Sequence, residues 1–284
     1  MEIIITSFAN PKIKDTIKLR EGNYRRIRRR FLIDGLSEIE RAALSGVCFH
    51  EFFVLEKSID IARKLAVRNN VTINIVPELL LQKIGFGNRN DGIVAVAELP
   101  KNSFALNDNF PKKSDQLTNS KIDPTDESSK IPLFVVLERI EKPGNIGAVF
   151  RTADGVGVSG IILADQATDL YNPNAIRASL GTLFSIPVVE TTGLRAKQWL
   201  LERDIKLAVA KCGGNFSYTN YDFCKPTAIV LGSEAEGLTE IWNGENITAI
   251  TIPMNGIADS LNVSAAAAIL LYEAKRQRTI KRNN

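Results

Sequence analysis

"PLFVVLERIEKPGNIGAVFRTADGVGVSGIIL", residues 132–163, decides the fold. It opens on "PLFVVLERI", an apolar run of the kind buried on both faces of a parallel sheet. A Pro-Gly turn follows, then "NIGAVFRTADGV" with helical patterning, then the apolar run "GIILAD". Strand, helix and strand in this order make a βαβ unit joining two parallel strands. Inside it, "GVGVSG" (155–160) fits the Gly-x-Gly-x-x-Gly pattern that cradles a dinucleotide pyrophosphate. That fingerprint needs a strand, then the glycines, then a helix, because the pyrophosphate sits on the helix N-terminus. Here the helix comes first and the strand last. The glycines therefore read as a helix-to-strand turn, with Gly155 or Gly157 as the left-handed residue that stops the helix and Gly160 leading the strand. No acidic residue is read at the end of the second strand in Rossmann spacing, which also counts against a nicotinamide enzyme.

The turn upstream is the better candidate. Gly144 and Gly147 flank Asn145 between strand and helix, and Arg151 lies about one turn further along the helix. Open α/β sheets bind ligands at the carboxyl ends of their strands, where an asparagine and an arginine suit a sugar or a phosphate. An N-cap with a solvent-facing arginine would use the same residues, and this motif alone does not choose.

Further along, "IPVVET", "IKLAVAKC", "AIVLGSE" and "TAITIPM" read as strands. "NPNAIRASLGTLF", "LRAKQWLLERD" and "SLNVSAAAAILLYEAKRQRT" read as helices, giving an α/β domain with a mostly parallel sheet. "IVLGSEAEGL" (229–238) ends an apolar strand on Gly-Ser-Glu, placing Glu234 directly after it and Gly237 beyond. "ITIPMNGIADSLNVSAAAAILLYEAKRQR" (250–278) has a strand, a loop and a helix that Asn262 or Ser264 can cap. Three strand-end loops thus carry small and polar residues.

Residues 1–99 show a second strand–helix alternation, a small α/β layer. Residues 100–131, rich in Asn, Asp, Ser, Lys and Pro, read as a flexible linker, leaving 132–284 as the C-terminal domain. The 284 residues are 44% hydrophobic and 24% charged, ordinary for a globular protein. No apolar run is long enough to span a bilayer and the first residues lack signal-peptide features, so the expected compartment is the cytoplasm. Cys48, Cys212 and Cys224 form no C-x-x-C pair, and His50 is the single histidine, so no metal site is indicated. His50 reads as a partly buried structural residue near a strand. The net charge of +4 is uneven: "YRRIRRR" (24–30) holds Arg25, Arg26, Arg28, Arg29 and Arg30. A solvated helix face is the ordinary fate of such a run. Arginines interleaved with Tyr24 also suit an RNA backbone and a stacked base.

"NIGAVFRTADGVGVSGIIL", "VLGSEAEGL" and "IPMNGIADSLNVSAAAAILLYEAKR" together resemble motifs one, two and three of the SpoU (TrmH-type) RNA ribose methyltransferases of the SPOUT superfamily, in order and spacing. "RFLIDGLSEIERAALSG" and "NDGIVAVAEL" resemble the start and end of that family's N-terminal substrate-binding domain. The resemblance implies a trefoil-knotted C-terminal α/β domain and a smaller, ribosomal L30e-like N-terminal α/β domain. It implies S-adenosyl-L-methionine as methyl donor, a homodimer formed through the C-terminal domain, and methylation of a ribose 2′-hydroxyl in structured RNA. The extra N-terminal domain favours ribosomal RNA, with 23S RNA foremost, over transfer RNA. By the same resemblance, Arg151, Asn145, Glu234, Asn262 and Ser264 would carry catalysis. Leu231, Gly232, Glu234, Gly237, Ile252, Met254, Leu261 and Asn262 would hold the donor, although Leu231, Ile252 and Leu261 would otherwise read as core. A dinucleotide-dependent oxidoreductase, a non-catalytic RNA-binding ribosome-assembly protein and, closer, a transfer-RNA 2′-O-methyltransferase are the alternatives. The reversed glycine order weighs against the first, and the intact motif residues against the second.

Overall fold

The structure, a computed structural model, describes residues 2–66, 71–86, 91–100, 106, 131–213 and 216–283. It divides into two compact units: Met1–Lys101 with Asp169–Ser185, and Asn102–Thr168 with Ile186–Asn284. The linker read at 100–131 lies outside the described residues except at Pro100, Leu106 and Ile131. Leu106 is buried in the core of the second unit.

The first unit contains β1 (Glu2–Ile4), α1 (Pro11–Lys18), α2 (Gly22–Arg28), β2 (Arg30–Asp34), α3 (Leu36–Leu44), β3 (Phe49–Val54), α4 (Ile59–Ala66), β4 (Thr72–Ile75), α5 (Glu78–Ile84) and β5 (Ile93–Glu98). Its strands form one sheet in the order β1-β4-β3-β5-β2, with β5 antiparallel to its neighbours β3 and β2 and the pairs β1–β4 and β4–β3 parallel. Strand alternation divides β2 between two faces. Leu32 packs with Ile13 of α1 and Leu80, Leu81 and Ile84 of α5, while Phe31 packs against the rings of Tyr171 and Phe184. The apolar residues of α1 and α2 are not equivalent: Ile13 of α1 is buried and Ile27 of α2 is exposed. His50 lies half-buried on β3, beside a register shift in the pairing with β5, and burial lowers its pKa. Strand β1, three residues at a sheet edge, carries no alternation long enough to read from sequence.

The second unit holds β6 (Leu133–Glu138), α6 (Pro143–Val156), β7 (Gly160–Ala164), β8 (Val188–Thr191), α8 (Gly193–Leu201), β9 (Lys206–Ala210), β10 (Thr227–Leu231), β11 (Ile247–Ile250) and α9 (Val263–Asn283). Helix α7 (Pro173–Ala178), between β7 and β8, belongs to the first unit. The six strands are all parallel, in the order β11-β9-β10-β6-β7-β8. Every residue of β6 is buried, as an interior strand of a covered parallel sheet requires. On one face Phe134 and Val136 of β6 join Ile162, Val189, Val209 and Val230 around Trp199 and Leu200 of α8 and the fully buried Trp242. Helices α6 and α9 lie outside that cluster; they pack along each other, and α9 against β10.

The glycine turn behaves as its order predicts. Gly157, left-handed at φ 83°, ends α6; its N–H bonds Asp154 O, and Val158 N–H bonds Ala153 O, which is a Schellman closure. Gly155 lies inside the helix and Gly160 begins β7. One reading needs correction. An acidic residue, Asp165, does follow β7, but its carboxylate accepts the N–H of Gly193 at the start of α8. The helix read over "NPNAIRASLGTLF" is also broken: left-handed Leu180 and Gly181 separate α7 from a 3-10 turn at Thr182–Phe184.

Candidate active site

In the sheet order, β6 is the point of divergence. From β6 the chain adds β7 and β8 on one side and then crosses to the other, where β10 lies next to β6, β9 next to β10 and β11 at the edge. Loops leaving neighbouring strands in opposite directions open a crevice at their carboxyl ends. The loops after β6, β10 and β11 carry the motif residues to this place.

After β10 the chain turns back on itself. Ser233 bridges Gly237, Gly237 N–H bonds Ser233 O at 3.0 Å, and Ser233 Oγ accepts Glu236 N–H at 3.0 Å. A Cβ on Gly232 would collide with the main chain of Gly237 and Leu238, and Gly237 is left-handed at φ 69°. Both glycines are thus required by the loop's own geometry, and the loop presents Glu234.

Glu234 is the hub. Its Oε1 accepts Asn145 Nδ2 and Asn262 Nδ2, each at 2.6 Å, and its Oε2 accepts Lys142 Nζ at 2.6 Å. Asn262 Nδ2 also reaches Asn145 Oδ1 at 3.3 Å. Asn262 Oδ1 accepts Ser264 N–H at 2.9 Å and Ser264 Oγ–H at 2.6 Å. Asn262 is therefore the N-cap of α9, and Ser264 braces it. Lys142, with the amide of Asn145 and the N–H of Val263 assisting, holds the Glu234 carboxyl below its usual range against the opposing effect of burial; the lysine is raised in turn. Four of the five residues expected to carry catalysis are joined in this network. Lys142 is a fifth member that the sequence reading missed; its signal was a lysine directly before a helix-initiating proline.

Arg151 lies on α6 and is exposed; among the described residues its side chain makes no hydrogen bond or ion pair, with the cluster or elsewhere. Of the expected donor-binding residues, Leu231 is buried core, Ile252 and Leu261 are half-exposed, and Met254 is exposed. Residues 252–261 make no main-chain hydrogen bond among the described residues. Of the five arginines expected to touch RNA, Arg25 must be withdrawn. It is 1% exposed, ion-paired with Asp169 at 2.7 Å, and donates to Leu19 O and Arg20 O. Arg26, Arg28 and Arg29 are exposed and Arg30 half-exposed.

Two asparagines and a carboxylate, from three loops, thus meet at the switch point of a parallel α/β sheet, the place where such sheets bind ligands. A profile of the SpoU rRNA methylase family matches residues 132–272, and a profile of the MRM3-like substrate binding domain matches residues 10–95. A 23S rRNA (uridine(2479)-2′-O)-methyltransferase of Streptomyces viridochromogenes is 34% identical over 72% of this chain and 67% of its own. Among solved structures, an RNA 2′-O ribose methyltransferase superposes with a TM-score of 0.77 at 34% identity, covering 98% of this chain and all of the other. An AdoMet-bound rRNA methyltransferase from Sinorhizobium meliloti superposes with a TM-score of 0.79 at 27% identity, covering 97% and 98%. The chain belongs to the SpoU rRNA methylase family.

Proposed function

We infer that this protein transfers a methyl group from S-adenosylmethionine to a ribose 2′-hydroxyl of ribosomal RNA, 23S RNA foremost. The observation that carries the reading is the Asn145–Glu234–Asn262 network where the loops after β6, β10 and β11 meet. The N-terminal substrate-binding domain and the 23S-specific relative favour ribosomal over transfer RNA.

The residues present fit the donor. Met254, Ile257 and Leu261 expose apolar surface beside main-chain groups with no partner among the described residues. That combination suits a neutral adenine held by backbone hydrogen bonds. Gly232, Glu234, Gly237, Ile252, Met254, Leu261 and Asn262 would line the donor site, with Leu231 supporting it from the core. Bound S-adenosylmethionine supplies an electrophilic methyl on a sulfonium whose leaving group is a neutral thioether.

What the chain supplies is alignment and a response to the charge that develops on the ribose oxygen. Asn145 offers an amide oxygen to the target hydroxyl. Asn262 and Ser264 hold the start of α9 beside it. Arg151 binds the phosphate next to the target ribose and stabilises the developing oxyanion as the hydroxyl proton passes to solvent water; a guanidinium is not deprotonated and so serves as an electrostatic partner rather than a base. The proposal includes a homodimer, to which the exposed Met254 and Ile257 would contribute apolar surface, and a knotted path for α9 within its domain. No helix among the described residues is long and apolar enough to cross a membrane, and the proposed place of action is the cytoplasm. Among the described residues no group of three His, Cys, Asp or Glu side chains is placed to hold a metal.

The test is methyl transfer to ribosomal RNA by the purified full chain, with the modified ribose mapped. Arg151→Ala and Arg151→Lys are expected to slow single-turnover transfer about a hundredfold, the scale of a lost oxyanion partner, with donor affinity within about threefold of wild type. A near-wild-type rate in either variant would remove Arg151 from the role. Wild-type protein that methylates transfer RNA and leaves ribosomal RNA untouched would overturn the substrate.

A further inference from the structure

We propose that Lys142 is a positioning residue for methyl transfer: its ammonium on Glu234 Oε2 fixes the carboxylate so that Oε1 sets the orientation of both the Asn145 and the Asn262 amide. The proposal rests on the methyltransferase reading.

Lys142 occupies the N-cap of α6, directly before Pro143, without a side-chain cap bond. An ammonium at the positive end of a helix is electrostatically misplaced, and its side chain is 71% exposed, so water alone would draw it outward. It lies instead 2.6 Å from Glu234. That carboxylate stands where two helix N-termini meet, contacted by Asn145 in the first turn of α6 and by Asn262 at the cap of α9. One anion thus ties the loops after β6, β10 and β11.

The consequence lies in the amides. An asparagine side chain rotated by half a turn exchanges an acceptor for a donor. With an anionic Oε1 as shared acceptor, both Nδ2 groups must point toward it. Asn262 Oδ1 then faces Ser264, and Asn145 Oδ1 is turned away from the carboxylate, with a lone pair left for a ribose hydroxyl. A carboxyl that rotated or gained a proton would accept one amide less and free the flip. Lys142, on the other oxygen, opposes both events. The other charged groups nearby are the Arg139–Glu236 pair, at 3.4 Å, and Glu141 beside Lys142.

The direction of the pH effect follows. A depressed carboxylate stabilises its network at pH values above its unfolded pKa, and this is lost as pH falls through the folded value. Without Lys142 that loss begins at higher pH. The variants are Lys142→Met and Lys142→Arg, each also combined with Glu234→Gln. Four quantities are read: the Glu234 carboxyl titration by ¹³C NMR, the affinities for S-adenosylmethionine and for ribosomal RNA, and the pH profile of single-turnover methylation. In Lys142→Met the Glu234 titration and the acid limb of the rate should both move up, and the plateau rate should fall about tenfold, the effect of one charge-assisted contact. Lys142→Arg should restore the titration, the acid limb and the plateau rate. On a Glu234→Gln background the Met substitution should cost little more, because the two residues act as one unit. An unmoved titration and an unmoved rate in Lys142→Met would overturn the proposal. So would an equal loss of RNA affinity with and without Glu234, which would make Lys142 a phosphate contact. Wild-type protein that never methylates RNA would instead remove the reading beneath it, while the NMR titration would still report on the pair.

Discussion

Among the single side chains that carry the most structure is Arg278, within α9. It is 8% exposed and donates to four carbonyls: Phe223, Ile131, Pro132 and Lys225. Burial lowers its pKa, the expected result for a cation surrounded by neutral acceptors. The guanidinium fork thereby pins the entrances of β6 and β10 to the last helix. Arg278→Met would keep the stem and abandon the carbonyls, at about 3 kcal/mol. The two tryptophans, Trp199 and Trp242, are both in the core of the second unit. The loss should therefore appear as an earlier tryptophan-fluorescence transition in urea; an unmoved midpoint would mean that water replaces the fork at little cost. Arg278 was unreadable in "AKRQRTIKRNN", where every basic residue looks like solvated charge. Asn145, Glu234 and Asn262 were readable because they stand at strand ends, next to glycines and a helix cap. The difference is that the candidate site residues are marked by their local turns, whereas a buried arginine is marked only by carbonyls remote in sequence.

At the scale of elements, the parallel sheet was legible because its strands are short apolar runs separated by helical periodicity, and the glycine turn because its order excluded a phosphate cradle. The excursion between β7 and β8 was not legible. "NPNAIRASLGTLF" has helical composition, and nothing local shows that residues 169–185 pack in the first unit. What fixes them there is tertiary: the rings of Tyr171 and Phe184 on Phe31, Arg177 donating to Phe86 O at 2.8 Å, and Gly181 seated against the backbone of Glu38. The Arg25–Asp169 pair closes this packing, with the arginine side chain 2% and the aspartate 17% exposed. Removing one partner of such a pair leaves the other desolvated and unmatched. Asp169→Asn should destabilise the first unit by about 2 kcal/mol, the lower end for buried pairs because the carboxylate retains some water. Arg25→Met with Asp169→Leu should recover much of that loss. Since both tryptophans report on the second unit, the expected result is an earlier far-ultraviolet circular dichroism transition with a smaller change in tryptophan fluorescence. Equal shifts in both signals would show that the units unfold together.

For the whole molecule, 36 basic against 32 acidic residues leave too small an excess to attract RNA by net charge alone, so the arrangement of the charges decides. The run "YRRIRRR" shows how composition overstates the supply. Arg25 is buried with Asp169. Arg28 is tied to Asp15 and to Tyr24, which also bonds Asp15, and its cation is largely neutralised there. Arg29 donates to the carbonyls of Leu99 and Pro100, which leaves its charge but fixes its direction. Arg26 is exposed, and its side chain makes no hydrogen bond or ion pair among the described residues. A phosphate backbone would accordingly engage Arg26 and Arg29 first. Arg26→Glu should weaken ribosomal-RNA binding and reduce the slope of log K against log salt by about one, the signature of one lost phosphate contact. Arg28→Glu should cost RNA affinity chiefly by disrupting the Asp15–Tyr24 cluster, and should lower the stability of the first unit in parallel. Affinity for S-adenosylmethionine should stay unchanged in Arg26→Glu, because the residues proposed to hold the donor belong to the second unit. A salt slope identical to wild type would place the RNA track on another face of the molecule, and a loss of donor affinity would show that this arginine serves the fold.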